Sequence, residues 1–347
     1  MENIEAINLR KHLVKGQVIP AVPLALEKDG TWSQKYQRAL LRYYLESGAG
    51  GLAIGVHTTQ FEIRDPKHKL FEPVLEFCSA EIDRHRNSRN TFAKIAGICG
   101  KTRDAKKEAN FAMKHGYNAG LLSLSAFESA SDKVMITHCQ KVAEVIPLIG
   151  FYLQPAVGGR KYSYAFWKEF VKIENVVAIK IAPFNRYGTL DVIRAVAESG
   201  REDIILYTGN DDNIIHDLLT PFQFGETTLR IMGGLLGQWA IGTKSAQETM
   251  RKIRNGGGAT GEWARQNAGL TDLNSAIFDA ANDFAGCIPG INEMLRRDGL
   301  LPSNRCLNPK EVLSSGQEAE LDRVSHAYRD LLDRPFIEQN LERWLED

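Results

Sequence analysis

A (β/α)8 TIM barrel followed by a helical carboxyl-terminal subdomain is the fold class that the 347-residue chain predicts. Eight short apolar runs recur at intervals of 26 to 43 residues, the length of a strand, a crossover helix and two loops. The segments between them have amphipathic helical patterns. After Arg254 the apolar runs stop and only helical patterns continue.

In chain order the runs are VIPAVPLAL from Val18, GGLAIGV from Gly50, AKIAGIC from Ala93 and AGLLSLS from Ala119. PLIGFYL from Pro147, VVAIKIA from Val176, DIILYTG from Asp203 and LRIMGG from Leu229 complete the set. Near-continuous apolar strands alternating with helices are the signature of a parallel sheet covered on its outer surface. Ser33, Ser131 and Ser163 stand where N-caps belong, and Gly48, Gly116 and Gly200 where helices should stop. In SQKYQRALLRYYLES, Tyr36, Leu40 and Tyr43 or Tyr44 share one helical face. Eight units fit a closed barrel of about 250 residues. The alternative is an open doubly wound sheet, but no GxGxxG follows the first strand. NGGGATGEW reads as a flexible break, which divides the chain into a catalytic barrel over 1–255 and a helical subdomain over 256–347.

Composition narrows the function classes. The chain is 43% apolar, and its 43 basic residues balance 43 acidic ones. That balance leaves no electrostatic footprint for nucleic acid or an anionic membrane. Cys78, Cys99, Cys139, Cys287 and Cys306 are scattered with no CxxC pair, which fits a reducing compartment rather than a disulfide framework. The opening MENIEAINLRKHLVKG has no apolar core of the kind a secretory signal needs, and no run approaches a membrane span. A cytoplasmic protein is expected.

Lys180 stands out because it interrupts the apolar run VVAIKIA, where a charge is costly unless paired or neutralised. Strand alternation puts Val176, Ala178, Lys180 and Ala182 on one face and Val177, Ile179 and Ile181 on the other. With the β-branched face outward, Lys180 points into the barrel between two small residues. Neutrality at pH 7 needs a shift of roughly 3 units, on the order of 4–5 kcal/mol, which burial supplies. A neutral amine attacks ketones to form imines; a structural lysine paired with a buried carboxylate is the alternative. Tyr152 should sit at the carboxyl end of its strand, where barrel active sites lie, as a proton relay or as a tyrosine capping the core. Thr58 and Thr59 follow the second strand as candidates for a relay and a carboxylate site. After the seventh strand, YTGNDDN brings Gly209, Asp211 and Asp212 to the same rim. There the carboxylates bind substrate hydroxyls or cap the helix NIIHDLL.

With these residues in view, the chain resembles the dihydrodipicolinate synthase / N-acetylneuraminate lyase family of Schiff-base class I aldolases, as a divergent member. The likeness lies in the strand order, the IKIA lysine strand, the FYLQP tyrosine strand, the TG-x-D turn and the closing GLLP…FIEQNLERWL helices. The resemblance implies Lys180 as the imine-forming lysine and Tyr152 as the proton-relaying tyrosine. It implies Thr58 in the relay and Thr59 at the keto-acid carboxylate. It also implies a small-molecule keto-acid substrate, a homotetramer or homodimer, and no organic cofactor or catalytic metal.

The departures are informative. The family's Gly-Thr-Thr-Gly-Glu loop reads His57-Thr58-Thr59-Gln60-Phe61. Val157 stands where the synthases carry an arginine, with Arg160 three positions on. Phe127 and Glu128 replace the paired tyrosines after the fourth strand. These changes argue against the lysine-pathway synthase, while Asp211-Asp212 is similar to the acidic pair of the sugar-acid lyases. The expected activity is therefore an aldolase or dehydratase acting on pyruvate or a related keto or sugar acid. Two rivals are a catalytically silent binding protein of the same fold and a metal enzyme built on His57, His216 and the aspartate pair. The histidines lack HxH or HxxxH ligand spacing. His57, Gln154, Arg160, Asn185 and Arg186 are candidate specificity residues at the rim.

Overall fold

Every one of the eight apolar runs forms a strand in the computed structural model, which describes residues 4–86, 91–256 and 260–346. They are β1 (Val18–Pro20), β2 (Gly51–Ile54), β3 (Ala93–Ile98), β4 (Ala119–Leu122), β5 (Leu148–Tyr152), β6 (Val176–Ile181) and β7 (Ile205–Thr208). A short strand, β8 (Pro221–Phe224), precedes the last barrel strand, β9 (Thr227–Leu236). Parallel pairing runs β1-β9-β7-β6-β5-β4-β3-β2. An isolated bridge from Ala21 to Ala53 brings the first strand against the second, and the Val22 N–H donates to the Ala53 carbonyl at 2.9 Å. The sheet is thus a nearly closed (β/α)8 barrel. The antiparallel ribbon of β8 with β9 is an addition; its alternating exposed and buried residues gave no continuous apolar run to read.

The barrel interior is filled by one or two side chains from each strand, among them Ile19, Ala53, Ile95, Leu121, Ile149, Phe151, Val177, Ile205 and Leu235. The helix Ile4–Leu13 closes the amino-terminal end, placing Ala6, Leu9 and Leu13 in that same cluster. Arg10 donates to the Glu174 and Val176 carbonyls at 3.0 Å. The Tyr207 hydroxyl donates to the Leu13 carbonyl and accepts from the Gln17 N–H, both at 2.8 Å. A plugged bottom leaves the carboxyl ends of the strands as the open face.

Helix punctuation follows the expected chemistry with one exception. Ser33 and Ser163 accept hydrogen bonds from the Tyr36 and Phe166 N–H groups, whereas Ser131 holds the N-cap position without a side-chain bond. Gly48, Gly116 and Gly200 have φ of +88°, +77° and +68°, the left-handed region that ends helices.

Beyond the barrel run the helices Thr260–Ile277, Cys287–Arg297, Gln317–Ala327 and Arg334–Leu345. Residues 257–259 of the expected break lie outside the described residues. These helices pack back onto the barrel. Tyr43, in the helix Gln34–Glu46, donates its hydroxyl to Asp333 at 2.6 Å. Among the described residues no helix is long and apolar enough to cross a membrane.

Candidate active site

Lys180 enters the barrel through a local fault in strand pairing. Between β5 and β6 the register slips, so that Leu148 faces Val176 while Ile149 faces Ala178. Val177 is the extra residue, and it joins Ala178 in the interior cluster while Val176 packs outward. The expected two-faced alternation of β6 is therefore wrong at its start and holds after the bulge, where Ile179 and Ile181 pack outward. Lys180 points inward at only 8% exposure.

Around it is a cavity at the carboxyl end of the barrel. Thr58, Gly209 and Asp211 line it with Lys180, as do His57 and Gln154. Gly209 is required by distance: a Cβ there would lie 2.5 Å from Lys180 Cε and 2.7 Å from the Ala182 Cβ. Among the described residues no carboxylate lies within ion-pair distance of Lys180, and Asp211 acts on it from farther off. Instead Nζ stands 4.6 Å from the centre of the Phe151 ring. Burial pushes the Lys180 ammonium toward its neutral form, and the Asp211 carboxylate partly offsets that. Asp211 is pushed up in turn by burial, with Lys180 pulling it down. Asp211 also accepts from the Gln238 N–H at 3.2 Å, which orients its carboxylate. Burial, then the Lys180 charge, lowers the His57 imidazole to about 4, leaving it neutral near pH 7.

Three of the expected residues lie elsewhere. Tyr152 does not line the cavity. β5 presents Ile149, Phe151 and Leu153 to the interior, and Gly150 and Tyr152 face outward. The Tyr152 ring lies 5.3 Å from that of Tyr162 and 5.5 Å from that of Trp167, in an aromatic cluster beneath the outer helices. Phe151, paired in register with Lys180, takes the inward place. Thr59 is a brace: its hydroxyl donates to the Val22 carbonyl at 2.7 Å and accepts from the Gly55 N–H at 3.0 Å. Asp212 is exposed, and its carbonyl accepts from the Thr271 hydroxyl.

Neither aspartate caps the helix Ile214–Leu219. The Asn267 side-chain oxygen, reaching from Thr260–Ile277, accepts from the Ile215 and His216 N–H groups instead. Of the other rim candidates, Arg160 turns to the carbonyls of Phe127, Glu128 and Ala130. Asn185 caps its own helix through the Gly188 N–H, and Arg186 pairs with Asp217 at 2.6 Å. His216 is exposed and bonds Asn213. Among the described residues no group of His, Cys, Asp and Glu could hold a metal ion, so the histidine–aspartate centre of the metal-enzyme rival does not assemble.

The loop after β2 keeps an unusual path without its glycines. Gln60 holds φ +68° and ψ 121°, and its side-chain oxygen accepts from the Leu307 N–H at 2.6 Å. The remaining walls come from Phe184 after β6 and from Phe278, Phe284, Cys287 and Ile291 of the carboxyl-terminal segments. Sequence reading missed Phe151 and these five residues; nothing in an isolated apolar pattern marks which of its residues will meet a cavity.

Comparison with known proteins gives this geometry a context. The model of the Dihydrodipicolinate synthetase family matches residues 15–327. A 4-hydroxy-tetrahydrodipicolinate synthase of Bifidobacterium longum (strain DJO10A) is 24% identical over 200 residues, 56% of this chain and 60% of that protein. The match thus spans about three fifths of the relative's length. Among solved structures, a prophage protein of the dihydrodipicolinic acid synthase family from E. coli K12, in complex with pyruvate, superposes with a TM-score of 0.75 at 17% identity. That match covers 90% of this chain and 98% of the other. N-acetylneuraminate lyase from Fusobacterium nucleatum gives 0.70 at 16% identity, over 91% and 99% of the two chains.

Proposed function

The chain belongs to the Dihydrodipicolinate synthetase family, and from that premise we propose that it is a Schiff-base lyase in which Lys180 forms an imine with pyruvate or a related α-keto acid. The observation that carries this reading is the lysine itself: buried, with no carboxylate among the described residues at ion-pair distance, and at the wall of a cavity that opens at the strand ends. Burial favours the neutral amine, the form that attacks a ketone. Nζ adds to the C2 carbonyl and water leaves, giving an iminium. When the C3–C4 bond or a C3 proton departs, the iminium nitrogen accepts the electron pair as an enamine. The enamine then takes a proton at C3 after cleavage, or expels the C4 hydroxyl as water in dehydration, and hydrolysis of the resulting iminium returns the amine.

Proton transfer falls to Asp211, whose raised pKa suits exchange near neutrality. The Thr58 hydroxyl and the neutral His57 ring are the other polar groups on the same wall. Cytoplasmic placement fits five unpaired cysteines. Assembly into a homodimer or homotetramer belongs to the same proposal and is read by light scattering.

A second reading, a catalytically silent keto-acid binding protein, is favoured by one observation. Phe151 rather than a phenol stands beside Lys180, so that position offers no proton relay.

Borohydride trapping with pyruvate, followed by peptide mapping, tests the reading. A pyruvyl adduct on Lys180 is expected, and Lys180→Ala should lose the adduct and at least about a thousandfold in turnover. Trapping without turnover on any aldol or dehydration substrate would favour the silent protein. If a panel of keto acids gave no adduct, the imine assignment would be wrong.

A further inference from the structure

The cavity has a polarity that selects a substrate class. His57 and Asp211 lie near Lys180, and Thr58 and Gln154 are the other polar side chains on the lining. The outer walls are apolar and strongly aromatic, with Phe184, Phe278 and Phe284 joining Phe151. Two of these rings are held by backbone that seldom accommodates a large side chain. Phe184 has φ +48° and Phe284 φ +66°, strained conformations that persist only where the surrounding structure holds them. The two rings meet edge to face, with centroids 5.7 Å apart, across the join between the loop after β6 and the carboxyl-terminal segment.

Charge points the same way. Lys180 is the one Lys or Arg among the described residues lining the cavity. Arg160 and Arg186, which the sequence brings to the rim, are engaged by carbonyls and by Asp217. A second carboxylate would enter with no cation to receive it. A chain of hydroxyls would find few partners beyond Gln154, because most of that wall is rings that cannot hydrogen-bond to it. An uncharged aromatic group loses nothing there and buries its surface.

We propose that the partner substrate is an uncharged aromatic aldehyde, joined to or released from pyruvate as a 4-aryl-4-hydroxy-2-keto acid. The inference rests on the Lys180 imine proposed above. In the forward direction the pyruvyl enamine attacks the aldehyde carbon through C3, forming the C3–C4 bond. The aldehyde oxygen takes a proton, and water hydrolyses the imine to free Lys180. Cleavage is the same sequence reversed, and no oxidant, reductant or further co-reactant enters. Phe184 and Phe284 are the specificity residues, stacking on the aryl ring.

The test uses the full chain with pyruvate and three aldehydes: benzaldehyde, glyceraldehyde and succinic semialdehyde. Pyruvate trapping on Lys180 is measured separately, so the imine and the selectivity are read independently. Benzaldehyde is expected to exceed both others in kcat/KM by about tenfold or more. Phe284→Ala and the milder Phe184→Leu should each reduce the benzaldehyde-to-glyceraldehyde ratio, with circular dichroism checking that each variant is folded. Trapping at Lys180 together with a preference for either polar aldehyde, or with a ratio that neither variant moves, overturns the aromatic proposal alone. Absence of any pyruvate adduct overturns the imine and this proposal together.

Discussion

At the scale of single residues, the electrostatic partnership of Lys180 and Asp211 makes a prediction with a definite sign. Burial disfavours the ammonium and the Asp211 carboxylate favours it. Imine formation needs the neutral amine, so the rate of pyruvate trapping should rise with pH through a midpoint below the free-lysine value near 10.4. In Asp211→Asn the ammonium loses its favourable charge, its pKa falls further, and the trapping profile moves to lower pH. Turnover should fall in the same variant while trapping at pH 7 becomes faster, because the amide cannot carry the proton. A trapping profile superimposable on that of the parent protein would mean that Asp211 does not act on the lysine. The inward placement of Lys180 was legible in the sequence because a lysine inside an apolar run is costly to bury and therefore conspicuous. The outward orientation of Tyr152 was not legible, for an equally physical reason. Phe151 and Tyr152 are adjacent aromatics in a run buried on both sides, so period-two alternation separates them without saying which faces inward.

At the scale of elements, the eight strands were legible because each is a short apolar run framed by helix punctuation. The bulge in β6 was not, since Val176 and Val177 are the same residue type and either can lie outward. The loop after β2 shows how an element without glycine can hold a positive-φ backbone. Gln60 occupies a left-handed φ of +68°, and its side-chain bond to the Leu307 N–H offsets the strain. Two substitutions separate these effects. Gln60→Ala keeps the strain and abandons the Leu307 N–H, so it should destabilise the protein by about 1–3 kcal/mol. Gln60→Gly loses the same bond but relieves the backbone, so it should recover about 1 kcal/mol of that loss. Urea denaturation of the two variants decides it. If alanine proves as stable as glycine, the strained path is not what the bond to Leu307 maintains.

At the scale of the whole molecule, the question is whether residues 1–255 form a barrel that stands alone. Contacts from the carboxyl-terminal helices argue that they do not. Tyr43 and Tyr44 are fully buried, and Tyr43 and Trp344 lie 5.7 Å apart, ring centre to ring centre. Asp333 accepts from the Lys244 and Ser245 N–H groups, capping the helix Thr243–Arg254 from outside it. Asn267 caps Ile214–Leu219 in the same way. Removing residues 256–347 would therefore uncap two barrel helices, at about 1 kcal/mol each. It would also expose Tyr43, Tyr44 and the apolar surface beneath Ile337 and Trp344, at about 1.5–3 kcal/mol for each large side chain. Those losses are comparable with the ~5–15 kcal/mol by which a domain is stable. A chain ending at Asn255 should accordingly lack a cooperative thermal transition and near-ultraviolet circular dichroism, and should trap no pyruvate. Cooperative melting of that fragment with native aromatic signals would establish instead that the barrel is an independent domain. The cavity would still lose Phe278, Phe284, Cys287 and Ile291, so even a folded fragment should bind an aromatic partner poorly. The carboxyl-terminal segments thus serve two ends: Asp333 and Trp344 cover the outer helices of the barrel, and Phe278, Phe284, Cys287 and Ile291 line the cavity around Lys180.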